Sequence, residues 1–210
     1  MIDSRSKAFF SVMLLWLFYP DPLKAQQVMA STPLHLFFQA NYDSTIIYQS
    51  SSSWYESPNY LIIAKQKERI YFFTYRSPYL GTAGVNYPGK LTTSFSKQEQ
   101  RFRSTTPDTN RYFLPKAIVP ATLLRSWQLV RPHQLWALKD DQASGQATNK
   151  CVVDDGDENT FYLIDRKAIK TASFYAPDFF EACLGTDLGR QQAIATRDLL
   201  RALQRSVIER

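Results

Sequence analysis

The chain has little of what most enzyme chemistry uses. Its 210 residues include only two cysteines, two histidines, three methionines and seven glycines. Two histidines and two cysteines fall short of the usual zinc ligand sets unless carboxylates join them. Neither His35 nor His133 belongs to a serine or cysteine nucleophile motif. No glycine-rich phosphate cradle is present, because the stretch Gly81, Thr82, Ala83, Gly84 lacks both the lysine and the strand-to-helix frame. Charge is sparse at 21% of residues, and the net +6 is not gathered into clusters of Lys and Arg. Nucleic-acid binders concentrate basic charge on one surface, so no nucleic-acid partner is expected. Asn-x-Ser/Thr sites are absent, which removes one mark of a glycosylated eukaryotic secretory protein and favours a bacterial envelope.

Long apolar runs are missing as well. Residues 8–19 form an uncharged stretch interrupted only by Ser11 and stopped by Pro20 and Pro22. A bilayer with ~30 Å of hydrocarbon takes about 20 apolar residues, so this stretch is too short to span one. With Arg5 and Lys7 ahead of it and small residues behind, it has the three-part form of a secretory signal peptide. Cleavage is expected after Ala25, with Ala30 as the second choice, which leaves a leader over 1–25 and one mature domain over 26–210. The mature chain is then expected to be exported, periplasmic or secreted, with no transmembrane segment. In an oxidising compartment the one cysteine pair, Cys151 and Cys183, is expected to bridge; two buried thiols are the alternative.

Aromatic residues, by contrast, are plentiful, with 14 Phe, 12 Tyr and 4 Trp. Rings bury much area per residue, so they are read as the core of an antiparallel sheet before any ligand platform. Residues 59–76 hold two runs of strand formers, Leu61 to Ala64 and Ile70 to Tyr75, around the charged group Lys65 to Arg69. Unpaired charges are costly to bury, so the chain must turn there and the two runs form a hairpin. A strand is expected through Thr45 to Tyr48, followed by a serine-rich loop, and residues 31–39 are too short an apolar patch to assign. Residues 77–109 are punctuated by proline and glycine and read as a long irregular loop, with a short strand at 91–95. Long loops often carry function, so a ring-lined or apolar binding patch is sought there.

Further on, Pro120 opens a helix that Pro132 ends, and Leu135 to Leu138 reads as a strand. A second hairpin is expected between Cys151 to Val153 and Phe161 to Ile164, followed by a strand ending at Tyr175. Pro177 starts a short helix closed by Gly185, and Asp187 caps a last amphipathic helix with Ala193, Thr196, Leu200, Leu203 and Val207 on its apolar row. The fold expected is α+β: a mainly antiparallel sheet of about five to seven strands with two or three helices on one face.

Three groups of residues offer chemistry. Asp154, Asp155, Asp157 and Glu158 around Gly156 are the densest set of oxygen ligands, and a hard cation such as calcium takes six to eight oxygens. Acid-rich turns are also simply soluble. Arg190, Arg197, Arg201 and Arg205 form a row on the last helix whose planar donors suit phosphate, sulfate or carboxylate, although such rows are commonly solvated faces. Asp140 or Asp141 with Asp165 would be the carboxylate pair of a hydrolase acting on an extracellular polymer. The function expected first is a non-catalytic exported module that binds an envelope protein or an extracellular ligand. A carboxylate-pair hydrolase and a self-associating structural envelope component are the alternatives.

Overall fold

The sheet is organised around a strand that lies early in the chain. The computed structural model describes residues 31–51, 59–76, 90–91, 106–109, 113–141 and 151–208. Strand β1, Ser44–Ser51, pairs antiparallel on one side with β2, Tyr60–Gln66, and on the other with β4, Glu158–Asp165. The outer strands are β3, Arg69–Tyr75, and β5, Ile169–Tyr175, which gives the order β3-β2-β1-β4-β5. Each flanking pair is a hairpin, so β1 is the centre from which two antiparallel units extend. Asp43, just before β1, ties both hairpin turns together: its carboxylate accepts from the Lys67 N–H at 2.6 Å and from Arg166 Nε at 3.0 Å. Those bonds and the Arg166 charge hold the Asp43 carboxyl below its ordinary pKa.

Five helices accompany the sheet among the described residues: α1 Pro33–Asn41, α2 Pro120–Val130, α3 Pro132–Ala137, α4 Pro177–Leu184 and α5 Leu188–Ile208. Three of them, α2, α3 and α5, cover one face. There Ile46, Tyr48, Leu61, Ile63, Phe161, Leu163 and Phe174 meet Leu123, Val130, Leu135, Ala193, Leu200 and Leu203. The opposite face, carrying Ile47, Ile62, Phe73, Tyr162 and Ile164, lies under Leu34 and Phe38 of α1. Covering on both faces explains why the strands read as continuous apolar runs and do not alternate. Burying each such side chain stabilises the fold by roughly 1.5–3 kcal/mol.

Helix α1 forms where the sequence alone left residues 31–39 unassigned. Pro33 occupies its first turn and the Thr32 side chain caps it, accepting from the His35 N–H at 3.3 Å. The expected strand at Leu135 to Leu138 is instead helix α3. Arg131, in the left-handed region at φ 49°, ends α2 and re-aims the chain, and Pro132 is pre-set to begin another turn. Lys170 Nζ donates to the carbonyls of Trp136 and Leu138 and so secures the end of α3 against β5.

The second hairpin also differs from expectation. Cys151 to Val153 form no strand, and β4 turns directly into β5 at Arg166 to Ala168, where Asp165 Oδ1 accepts from the N–H groups of Lys167 and Ala168. The 151–157 segment is a loop strapped across the end of β5, with the Gly156 N–H donating to Tyr175 Oη at 2.9 Å and the Ala176 N–H to the Asp157 carbonyl at 2.8 Å. Gly156 is required by space, since a Cβ there would lie 2.8 Å from Ala176 Cβ. The bridge between Cys151 and Cys183, with Cα atoms 6.0 Å apart, joins this strap to α4.

Each outer strand accepts a backbone hydrogen bond from a neighbouring segment of the chain. Lys116 N–H donates to the Phe72 carbonyl on the β3 side, and Asp141 N–H to the Ser173 carbonyl on the β5 side. The 1–25 leader and most of the 77–109 loop, including residues 92–95 of the strand expected at 91–95, lie outside the described residues, and Leu91 is helical where a strand was expected. Among the described residues no helix is long and apolar enough to cross a membrane.

Candidate functional site

The arginine row is not one surface. Arg190 and Arg197 lie seven residues apart, two turns along α5, and both are buried at the border of the apolar stripe, facing α4. Arg190 donates Nε to Glu181 at 3.2 Å, Nη1 to Asp141 at 3.4 Å and Nη2 to the Gly185 carbonyl at 2.8 Å. Asp187 caps the helix as expected, its carboxylate accepting from the Arg190 N–H. Arg197 makes a two-pronged contact with Asp178 and a further bond to Asp198. The Asp178 pairing drives the Arg197 pKa further up, and Arg197 holds the Asp178 carboxyl below the usual carboxylate value. These two side chains dock α5 onto α4, which replaces the solvated or anion-binding face expected for them. Arg205 is exposed.

Arg201 differs from all three. It is half-buried, and its Nη2 donates 3.1 Å to the hydroxyl of Tyr48 on the central strand, with the guanidinium carbon 5.7 Å from that ring. Tyr48 in turn donates to Asn159 Oδ1 at 2.8 Å, and Asn159 Nδ2 donates to the Asp157 carbonyl at 3.2 Å. This relay links α5, β1, β4 and the start of the acidic strap. Burial raises the Tyr48 pKa, with Arg201 acting in the opposite direction, so the phenol stays neutral and serves as a fixed support.

Above the relay is a cleft of about 320 Å³ lined by Tyr48, Ser50, Ser51, Asn59, Leu61, Asp157, Arg201 and Gln204. Its floor is fixed by strand register, Tyr48 opposite Leu61 on one side and Phe161 on the other. Two sequence-level candidates from clusters of opposite sign, Arg201 and Asp157, therefore meet in one place. Asp154, Asp155, Asp157 and Glu158 are all exposed. Among the described residues no three His, Cys, Asp or Glu side chains are gathered closely enough to hold a metal ion.

The carboxylates weighed for hydrolysis have local roles. Asp140 accepts from the Ser173 N–H, Asp141 pairs with Arg190, and Asp165 closes the β4–β5 turn. His35 is on the other side of the sheet, packed on Tyr60 and Tyr162, and His133 lies away from the cleft on α3, so neither imidazole activates Ser50 or Ser51. What the arrangement can do is hold a ligand with directed hydrogen bonds and one cation. Sequence reasoning missed Tyr48, Ser50, Ser51, Asn59, Asn159 and Gln204. Tyr48 and Asn159 are 111 residues apart, and no local pattern couples them. Comparison with protein-family models, curated proteins and solved structures finds no match to this chain.

Proposed function

We propose that the protein is an exported, non-catalytic binding module that takes a small polar extracellular ligand in the cleft above Tyr48. The observation that carries this reading is the state of Arg201. Arg190 and Arg197 are each held by two carboxylates, whereas Arg201 is half-buried at a cleft with a neutral hydroxyl as its hydrogen-bond partner among the described residues. A guanidinium offers five N–H donors, and one of them is engaged with Tyr48. The Cys151–Cys183 bridge supports export, because such bridges persist in oxidising compartments.

The test is a nuclear magnetic resonance titration of the oxidised chain with a panel of small sugars, amino acids and organic anions. A saturable change confined to Tyr48, Asn59, Arg201 and Gln204, with the added molecule recovered intact, is the expected outcome. Changes that avoid those residues for every compound, or turnover of the compound, would overturn the proposal.

A further inference from the structure

Resting on that reading of the cleft, the lining points to a class of ligand: we propose a singly charged, polyhydroxylated carboxylate of the sugar-acid type. Its carboxylate would sit on Arg201, and its hydroxyls would face Ser50, Ser51, Asn59, Gln204 and Asp157. Charge argues for one negative group. Among the described residues the cleft is lined by one guanidinium and one carboxylate, so a phosphate monoester would bring nearly two charges to a single cation and also face Asp157. A neutral sugar would offer the guanidinium no charge-assisted hydrogen bond, and a cation would meet it directly. Geometry argues for a planar acid, because a guanidinium that gives one Nη2 contact to Tyr48 has further N–H donors, and paired guanidinium donors match a carboxylate through two parallel bonds.

The remaining groups select hydroxyls. Serine hydroxyls and the side-chain amides of Asn and Gln both donate and accept, as sugar hydroxyls do. Among the described residues four such side chains line the cleft against one acid, a ratio that suits several hydroxyls better than the lone ammonium of an amino acid. At about 320 Å³ the space lies at the lower end of small-molecule sites, enough for one sugar ring. Arg201 is also pre-positioned, since Tyr48 is locked by its own bond to buried Asn159. Less side-chain freedom is then lost when the ligand arrives.

Calorimetric titration of the oxidised chain with glucuronate, set beside glucose, glucose 6-phosphate and glutamine, tests this assignment. Glucuronate should bind more tightly than each of the other three. Arg201→Gln should weaken it by at least about tenfold, since hydrogen bonds to a charged group carry that much. Arg201→Lys, which keeps the charge and loses the fork, should also weaken it. Nuclear magnetic resonance then separates the two levels of argument. If glucose, glucose 6-phosphate or glutamine binds more tightly than glucuronate at Tyr48, Asn59 and Gln204, the ligand class is wrong and the cleft stands. If none of the four compounds moves those residues, the sugar-acid assignment fails. If the wider panel is also silent there, the binding reading falls with it.

Discussion

Lowering the pH from 7 to 5 should destabilise this protein through one buried imidazole. His35 is in the first turn of α1 and is 3% exposed. Its Nδ1 accepts from the Thr32 N–H at 3.3 Å, so in the neutral ring the proton is on Nε2, which is buried without a partner among the described residues. Protonating Nδ1 would break the bond it accepts from the Thr32 N–H, place a cation at a helix N-terminus and charge a ring packed 4.4 Å from that of Tyr162. Burial accordingly lowers the His35 pKa from 6.5 to about 4. The sign follows from proton counting: between those two values the unfolded chain binds more protons, so stability is complete above pH 6.5 and is lost as the pH falls toward 4.

Each tenfold change in proton affinity is worth ~1.4 kcal/mol, so the whole window corresponds to about 3 kcal/mol, of which about 2 kcal/mol is gone by pH 5. Asp178 and Asp43, whose pKa values are lowered below 3.8, give up their contributions only below this range. Urea unfolding at pH 7, 6 and 5 reads the effect directly as a falling midpoint. His35→Gln keeps a side chain that can serve the capping box and does not titrate. Its stability should be nearly level over the same range. An equal fall in the variant, or a level wild-type curve, would refute the assignment.

Three further outcomes are expected. Reducing the Cys151–Cys183 bridge, whose partners are 32 residues apart, should cost about 3–4 kcal/mol in urea unfolding on the chain-entropy account, and an unchanged midpoint would contradict it. Arg190→Ala removes the cation shared by Glu181 and Asp141 at the α4–α5 junction and should destabilise by about 3 kcal/mol, with a loss under about 1 kcal/mol showing that the junction does not depend on it. Gly156→Ala places a methyl 2.8 Å from Ala176 Cβ and 2.9 Å from Tyr175 Cζ, so the strap must shift. A loss of roughly 1–3 kcal/mol and faster amide exchange at residues 151–157 should follow.

Much of the fold was legible because it rests on local rules. The charged group at 65–69 forces the first hairpin turn, and Lys67 and Glu68 are where the chain reverses. Pro120, Pro177 and Asp187 each mark a helix start that the structure contains. The failures share a different character. Residues 132–137 are apolar enough for either state, and the left-handed Arg131 decided for a helix. Residues 151–153 are β-favouring but are held away from the sheet by Gly156 packing and the bridge. Arg190 and Arg197 read as solvated because their partners, Asp178 and Glu181, belong to another helix.

By itself the sequence determined the chain's class: an aromatic-rich α+β domain with one cysteine pair and an arginine-bearing last helix, all consequences of composition and short-range periodicity. Tertiary structure alone decided that β1 is the central strand and that α1 covers the second face. It also decided that two of the four arginines are committed to carboxylates while Arg201 faces a cleft with Asp157. The physical reason is that strand register and side-chain hydrogen bonds join residues more than a hundred positions apart, as Tyr48 is bonded to Asn159 and Arg201. Burial and hydrogen-bond satisfaction act on that joined arrangement, which no stretch of the chain contains on its own.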